Sequence, residues 1–293
     1  MEGPSPRFRW VTFLSDYGLD DVFVGVCKGV MAQRAPFLRI LDICHLVERQ
    51  DVRQGATVFA SAMPYLPPAV HLALVDPIQE VPARAVLVSA NSGSVLVGPD
   101  NGVLSLAWDV LGGVASAYEI CNTELWLPQH SNTFRGRDVF APVVAAIAGG
   151  KPLPTVGPEI PAADLVRIRL RKATIDDDHV HGEVYNVDHF GNLSLNVARA
   201  DLEAVGMPLG DTVELRCSGR TMTVPFCLTY GEVAPGRLAL CEDSVRSVMI
   251  AVNVGSAAAT LRVSRGDPVV VSRIPQLKAH SGATGPTPPR IGV

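Results

Sequence analysis

Three aspartates near the start of the chain are the first residues whose types and spacing suggest chemistry. The apolar run Trp10–Leu14 ends at Ser-Asp-Tyr-Gly, which contains Asp16, and Asp20 and Asp21 precede a helical pattern. In an α/β sheet, ligands collect at the carboxyl ends of the strands. Carboxylates at that position repel phosphate and suit sugar hydroxyls or an ammonium or sulfonium cation. The opening segment therefore indicates a nucleoside or a cationic ligand.

Four further segments combine polar or aromatic side chains with a predicted strand end or helix start. They are Asp76-Pro77 with Arg84, Gly98–Gly102 with Asn101, Thr133–Asp138 with Phe134 and Arg135, and Asp188–Asn192 with Phe190. Each has a structural alternative, because loop aspartates also cap helices and Gly-Pro-Asp-Asn-Gly is a common turn sequence. Spacing alone predicts an α/β protein with a carboxylate-lined pocket and leaves its reaction open.

Composition narrows the class of protein. The chain has 293 residues, 47% of them hydrophobic, which is enough for a sizeable core and two domains. Its formal net charge of -4 does not favour a nucleic-acid partner. Six scattered cysteines without a Cys-x-x-Cys pair indicate neither a disulfide framework nor a zinc site, so we expect no bound metal. With no apolar run long enough for a bilayer and no targeting segment, we expect a cytoplasmic protein without a membrane partner.

Strand-like runs alternate with helical patterns up to residue 150, which predicts an α/β fold with a mainly parallel sheet. The predicted strands are 10–14, 38–43, 70–75, 85–88 and 94–97. The predicted helices are 21–34, 51–62, 103–111 and 138–148.

Short strands closed by turns follow, and they predict a smaller C-terminal antiparallel β-barrel domain. Its predicted strands are 182–187, 212–217, 221–224, 237–241, 248–252 and 268–271. The predicted organisation is a flexible N-terminus over 1–9, the α/β domain over 10–150, a linker over 151–178 with a short strand at 165–170, the β domain over 179–273, and a disordered tail over 274–293.

These segments, taken together and in this order, resemble the family that contains adenosine-forming S-adenosyl-L-methionine (SAM) hydrolase and the SAM fluorinases and chlorinases. The most specific pieces are Ser-Asp-x-Gly with Cys-Lys-Gly, Asp-Ile-Cys-His, Asp-Val-Arg-Gln-Gly-Ala, Gly-Pro-Asp-Asn-Gly, Thr-Phe-x-Gly-Arg-Asp and Asp-His-Phe-Gly-Asn. The resemblance implies an N-terminal SAM-binding domain, a C-terminal β domain and a homotrimer with the site at the subunit interface. It also implies that SAM is the substrate and that no cofactor is needed.

The family reaction is displacement at the 5′-carbon of SAM, with methionine as the leaving group. By resemblance, Asp16 holds the ribose hydroxyls, Asp21 and Asp188 meet the methionine ammonium, and Ser244 contacts the methionine end. This division of roles is physically reasonable, because carboxylates accept hydrogen bonds from a diol and attract a cation.

The base-binding residues implied by the resemblance lie in the C-terminal half. Phe190 and Tyr230 enclose the adenine, Asn192 bonds its edge, and the Val254 backbone contacts it. Two N-terminal residues complete the implied pocket, Asn101 and Phe134.

The nucleophile is a narrower question. Halogenases of the family carry a tyrosine where this chain has Asp76, and fluorinases have an insertion after it, so the aspartate favours water. Two positions differ from the hydrolase pattern, since Ala83 replaces the first of two arginines and Arg135 replaces a histidine. Arginine cannot act as a base at neutral pH.

Three interpretations stay open at this point. They are a hydrolase, a SAM-cleaving enzyme with another acceptor such as chloride, and a SAM or adenosine binder without catalysis. The catalytic candidates are Asp76, Arg84 and Arg135.

Overall fold

The computed structural model describes residues 7–75, 83–131 and 133–274 of the chain. The chain divides into two compact units, with the division between Leu170 and Arg171. Asp76 and the predicted tail beyond residue 274 lie outside the described residues.

Unit 1 is an α/β unit built around six strands. The strands are β1 Trp10–Ser15, β2 Arg39–Cys44, β3 Val70–Leu74, β4 Ala85–Ala90, β5 Val95–Pro99 and β6 Val114–Glu119. The α-helices are α1 Phe23–Arg34, α2 Val52–Ala62, α3 Ser105–Val110 and α4 Ala141–Ala148, the last preceded by a π-helical turn, Gly136–Phe140. Short 3₁₀ turns occupy Met63–Tyr65, Thr123–Leu125, Leu153–Val156 and Ala162–Asp164.

The sheet of unit 1 has the order β2-β1-β3-β5-β4-β6. The β2-β1-β3-β5 pairs are parallel, whereas β4 runs antiparallel to both β5 and β6. The antiparallel edge arises because only four residues join β4 to β5, too few for a parallel crossover. The predicted α/β fold is confirmed, with a mixed sheet in which the parallel strands carry the N-terminal motifs.

The central strand β3 is buried at every position, which is typical of a strand covered by helices on both faces. Two apolar clusters flank the sheet, one containing Phe13 with α1 and α4, and the other containing Phe59 and Trp108 with α2 and α3. The core therefore fixes the strand ends from which the polar loops emerge.

Several local expectations for unit 1 differ from the structure. Residues 165–170 are not a strand, because Val166 and Ile168 donate their amides to the Asp100 and Ser105 side chains rather than to a neighbouring strand. Part of the expected flexible N-terminus is packed, since Phe8 is buried and its amide donates to the Ala148 carbonyl. Residues 151–170 of the expected linker belong to unit 1.

Unit 2 is an antiparallel β unit. Its strands are β7 Thr174–Asp176, β8 His179–Val187, β9 Leu193–Ala198, β10 Thr212–Cys217, β11 Arg220–Pro225, β12 Leu238–Glu242, β13 Ser247–Val252 and β14 Pro268–Arg273. Its helical segments are α5 Arg199–Ala204, α6 Ala257–Leu261 and a 3₁₀ turn at Tyr230–Glu232.

Seven of these strands follow the path β11-β10-β14-β8-β9-β13-β12, and β7 pairs with β8. The two ends of the path approach each other, because Phe226 bridges to Leu240 and the Cys227 amide donates to the Leu240 carbonyl over 2.8 Å. The sheet is therefore nearly closed around one apolar core, and the predicted antiparallel barrel is confirmed.

All six cysteines are free thiols, and Cys121 alone among them is exposed. Over the residues that the structure describes, no helix is both long enough and apolar enough to cross a membrane.

Candidate active site

A cavity of about 370 Å³ opens at the carboxyl ends of β1 and β2 in unit 1. Its walls come from the segments 16–23 and 45–49, which follow those two strands. This is the place where an α/β sheet exposes loop side chains to a ligand. The structure thus brings Asp16 and Asp21 to one cavity, as the sequence predicted for a carboxylate-lined pocket.

Asp16 is half-buried and held by backbone groups. Its Oδ2 accepts the Gln50 amide at 2.9 Å, and its own amide donates to the Leu74 carbonyl at the end of β3. Burial raises the pKa of Asp16, while the Gln50 amide and the Arg49 charge oppose that rise. The carboxylate therefore has a fixed position and reduced hydration, which strengthens a hydrogen bond to a sugar hydroxyl.

The Asp-Val-Arg-Gln motif supports this wall. Asp51 caps α2 by accepting the Gln54 amide at 2.8 Å, and Gln54 Oε1 accepts the Glu48 amide at 2.7 Å. Gln50, which holds Asp16, has a left-handed backbone with φ of 64°. The motif therefore shapes the segment that aims Asp16.

Asp21 is exposed and precedes α1. Its Oδ1 accepts the amide of Val22, the residue just before the helix, at 2.7 Å. Both the structural and the ligand-binding interpretations are compatible with this position.

The Thr133–Asp138 segment reaches the same region through aromatic contacts. Phe134 packs on Phe23 and Tyr17, with ring centroids 5.1 and 5.9 Å away, and both partners line the cavity. A Cβ on Gly136 would lie 2.3 Å from the Tyr17 hydroxyl, so only glycine allows this approach. Phe134 thus supports the cavity wall from behind.

Asp138 anchors the π-helical turn. It is fully buried, accepts the Ser131 amide and hydroxyl, and pairs with Nε and Nη2 of Arg137. The hydrogen-bonded Arg137 charge lowers the pKa of Asp138. Its role in the described contacts is structural.

The residues around the predicted nucleophile site are held by other groups. Arg84 Nε donates to buried Asp100 at 2.7 Å, and its Nη2 donates to the Asp164 carbonyl at 2.6 Å. Arg135 Nη1 donates to the Ala83 carbonyl at 2.7 Å.

Asn101 forms hydrogen bonds at the carboxyl end of β3. Its Nδ2 donates to the Val75 carbonyl at 2.8 Å, and its Oδ1 accepts the Val103 amide at 3.1 Å. Asn101 therefore fixes the end of the chain segment that leads to Asp76, which itself lies outside the described residues.

In unit 2, Asp188 organises the loop after β8. Its Oδ1 accepts the amides of Phe190 and Asn192, and its Oδ2 accepts Asn192 Nδ2 at 2.8 Å. Gly191 has φ of 81°, and a Cβ there would lie 2.0 Å from the Ser256 hydroxyl. The tight loop leaves the Phe190 ring 74% exposed.

Two further turns join this loop through hydrogen bonds. The Gly191 carbonyl accepts the Ala258 amide at 2.9 Å, which ties the loop to the start of α6 and the turn containing Val254. Asn253 in that turn donates to the Val233 carbonyl at 2.7 Å, beside the turn that carries Tyr230. Phe190, Tyr230 and Val254 therefore lie in connected turns, and all three are exposed.

Ser244 is placed differently. It lies in the turn between β12 and β13, whereas Val254 follows β13. The six residues of β13 span about 20 Å at roughly 3.3 Å per residue. The structure does not group Ser244 with the three exposed apolar residues.

Within the ranges 7–75, 83–131 and 133–274, no three His, Cys, Asp or Glu side chains are arranged to hold a metal ion. His45, which lines the cavity, was missed by the sequence analysis. It ends the Asp-Ile-Cys-His motif, but its apolar neighbours in sequence are those of a core histidine such as His71, which bonds Thr12 at 2.9 Å.

Family models match both halves of the chain. The N-terminal domain of SAM hydroxide adenosyltransferase matches residues 11–157, and the C-terminal domain of the same family matches residues 182–270. The chain belongs to the SAM hydroxide adenosyltransferase family. The resemblance inferred from the motifs is confirmed.

Two relatives of known name match this chain nearly end to end. An (R)-S-adenosyl-L-methionine hydrolase from Salinispora tropica is 44% identical over 90% of this chain and 97% of that protein. A fluorinase from Nocardia brasiliensis is 28% identical over 89% of this chain and 96% of that protein. The solved structure of an uncharacterized conserved protein from Thermotoga maritima superposes with a TM-score of 0.84 at 35% identity, covering 90% of this chain and all of that one.

Proposed function

We propose that this protein cleaves SAM by displacement at the 5′-carbon, with water as the nucleophile and adenosine and L-methionine as products. The observation that carries the proposal is the near full-length match to a protein named as a SAM hydrolase at 44% identity, against 28% for one named as a fluorinase. The family name also describes transfer of the adenosyl group to hydroxide. SAM is thus the substrate, and we propose that no cofactor is needed.

The cavity of unit 1 supports this substrate. Asp16 presents a half-buried carboxylate suited to the ribose hydroxyls, and Asp21 lies on the same cavity for the methionine ammonium. Negative charge on the wall also attracts the sulfonium cation. In unit 2, the exposed Phe190 offers a face for the adenine.

The proposed reaction places few demands on acid catalysis. The water oxygen forms a bond to the 5′-carbon, the carbon–sulfur bond breaks, and its electron pair stays on the sulfur of methionine. The attacking water loses one proton to solvent or to a carboxylate. The main tasks are alignment of water and exclusion of competing solvent. We propose Asp76 for the alignment of water, with Arg135 and Arg84 as further catalytic candidates.

The test is incubation of the full-length protein with the (S) and (R) epimers of SAM separately, because relatives are named for the (R) form. Reactions in ¹⁸O-labelled water, with and without chloride, are followed by mass spectrometry of the nucleosides. Labelled adenosine without chloride, lost in Asp76→Asn, supports hydrolysis with Asp76 in that role. A 5′-chloro product or unreacted SAM contradicts it.

We also propose that the active form is a homotrimer, as the resemblance implies, with a neighbouring subunit supplying the base-binding residues. The exposure of Phe190 at 74% and Val254 at 82% supports a surface that becomes covered. Mixing Asp16→Asn and Phe190→Ala proteins after mild dissociation tests this arrangement, because mixed trimers then contain intact sites. Recovery of activity supports shared sites, and no recovery in verified mixed oligomers contradicts them. The cytoplasmic location stays a prediction.

A further inference from the structure

A line of four polar side chains lies beneath the Asp16 loop, with Ser15 and His45 buried and Asp42 and Lys28 partly exposed. Ser15, the last residue of β1, is fully buried, and its Oγ lies 2.7 Å from Nδ1 of His45, which is 4% exposed. The other ring nitrogen, Nε2, lies 3.1 Å from Oδ1 of Asp42. Asp42 Oδ2 in turn accepts a hydrogen bond from Lys28. The line joins α1, β2 and β1 directly below the cavity.

The charge of Asp42 determines which ring nitrogen of His45 carries the proton. A carboxylate facing Nε2 favours a proton on that nitrogen, and the bent contact acts mainly through charge. Nδ1 is then the acceptor, and the Ser15 hydroxyl donates to it. Burial lowers the pKa of His45, which supports a neutral ring near neutral pH.

His45 is also tied to the backbone that follows β1. Its carbonyl accepts the Gly18 amide at 2.8 Å, and Ser15 Oγ accepts the Tyr17 amide at 3.4 Å. The Phe13 ring packs edge-on against the imidazole, with centroids 4.7 Å apart, and so restrains its plane. Asp16 thus lies within a turn whose two sides are both anchored on His45.

A Ser-His-Asp set also invites a nucleophilic interpretation, which the geometry does not favour. Ser15 is fully buried, so its hydroxyl is not presented to a ligand in the cavity. Lys28 pairs with Asp42 and so does not supply a hydrogen-bond donor for an oxyanion beside Ser15.

We propose that His45 is a positioning residue for Asp16. By holding Ser15 through Nδ1 and Gly18 through its carbonyl, it sets where the ribose-binding carboxylate stands. The inference rests on the proposed function for the identity of the ligand.

The experiment compares substitutions that keep or remove the Nδ1 acceptor in the full-length protein. His45→Asn places an amide oxygen near the Nδ1 position, whereas His45→Gln places its amide near Nε2. Ser15→Ala removes the donor. Thr12→Val is the matched control, because Thr12 on the same strand bonds His71 at 2.9 Å in the core rather than at the cavity.

The readouts are adenosine binding by calorimetry, kcat and KM for SAM, and the melting temperature. We expect Ser15→Ala and His45→Gln to weaken adenosine binding about tenfold or more, and to raise KM with kcat changed less than about threefold. We expect His45→Asn to bind within about threefold of wild type. Thr12→Val should lower the melting temperature as Ser15→Ala does, with unchanged binding.

Two results would overturn the positioning role. One is wild-type adenosine binding in Ser15→Ala and His45→Gln. The other is equal weakening in His45→Asn, His45→Gln and Thr12→Val that follows only their melting temperatures. Wild-type protein that binds neither adenosine nor SAM would instead overturn the proposed function, and the positioning role with it.

Discussion

The cavity of unit 1 and the exposed turns of unit 2 use opposite means to present the proposed ligand-binding residues. Asp16 is half-buried and fixed by the Gln50 amide and the Leu74 carbonyl, whereas Phe190 and Val254 are 74% and 82% exposed. A charge in a partly buried site needs a defined position, because its energy depends steeply on distance. An aromatic face gains from area and tolerates small changes of orientation.

The difference has an energetic consequence. Holding Asp16 charged lowers the stability of unit 1, since burial raises the pKa of this carboxyl. Unit 2 leaves apolar surface uncovered and gains when that surface is buried, at roughly 25 cal/mol per Å². Substitutions at Asp16 in unit 1 should therefore affect activity and stability differently from substitutions at the exposed residues of unit 2.

The largest effect is expected for Asp16→Asn. Loss of the carboxylate should lower kcat/KM for SAM by about 100-fold, since charge-assisted hydrogen bonds to the ribose are lost. The melting temperature should stay equal or rise, because the folded state no longer holds a partly desolvated charge. Steady-state kinetics and thermal melting measure both.

Asp109→Asn is the control for this variant, since Asp109 is an exposed carboxylate paired with Arg167. It should leave kcat/KM within about twofold. If Asp16→Asn has a markedly lower melting temperature than wild type, its loss of activity reflects damage to the fold, which would contradict a binding role.

The pH dependence follows from the same carboxylate. The proposed binding needs ionised Asp16, whose pKa burial raises above its ordinary value. We therefore expect 1/KM to fall as the pH drops through that raised pKa. In Asp16→Asn the residual binding should not vary over that interval. If KM of the wild type, measured from pH 4 to pH 8, does not rise on the acid side, the proposed role of Asp16 is contradicted.

Phe190→Ala should have a smaller effect on binding and almost none on folding. Loss of one stacking face costs about 1–2 kcal/mol, so the Kd for adenosine should rise roughly 5- to 30-fold. The melting temperature of the isolated subunit should not change, because the ring is already 74% exposed. Ile175→Ala, an exposed apolar residue on β7, is the control and should bind as wild type.

Substitutions in the ion pair between Arg84 and Asp100 test whether this arginine stabilises the fold of unit 1 or takes part in the reaction. Arg84→Met should lower the free energy of unfolding by about 2 kcal/mol, because it leaves the buried Asp100 carboxylate without its cation. Asp100→Asn should lower it less, because Arg84 is partly exposed and keeps its hydrogen bond to the Asp164 carbonyl. We expect equal, small losses of kcat in the two variants. A much larger loss in Arg84→Met would favour direct catalysis by the guanidinium.

The smallest effect is expected at Val254. This β-branched residue has φ of 53°, a strained conformation that asparagine adopts more easily. Val254→Asn should raise the free energy of unfolding by about 1 kcal/mol, or the melting temperature by about 3 °C. Because the implied contact uses the backbone, KM should change less than about twofold, and a large KM increase would indicate a side-chain contact.

The sequence predicted the parallel part of unit 1 well, since buried runs such as β3 have no other stable location than a central strand. It missed β6, whose mixture of small and polar residues lacks a clear alternation. It also missed α6, because five residues are too few for a helical period. Residues 165–170 are extended, but their partners are side chains, which a strand pattern cannot reveal.

The candidate site was predicted in part for similar reasons. Asp16 and Asp21 follow a strand, so their convergence on one cavity follows from the strand's direction. The hydrogen bond from Gln50 to Asp16 joins residues 34 apart in sequence, and no local pattern encodes such a contact. The same holds for His45 and Ser15, which are 30 residues apart.

The π-helical turn at Gly136–Phe140 has a consequence for changes in chain length. A π turn contains one residue more than an α-helical turn. A one-codon deletion there would convert it to ordinary α-helix and rotate the preceding residues by about 100° about the axis. Phe134 would then face away from Tyr17 and Phe23, so a mutational library should reject single-residue deletions here even at positions that tolerate substitution.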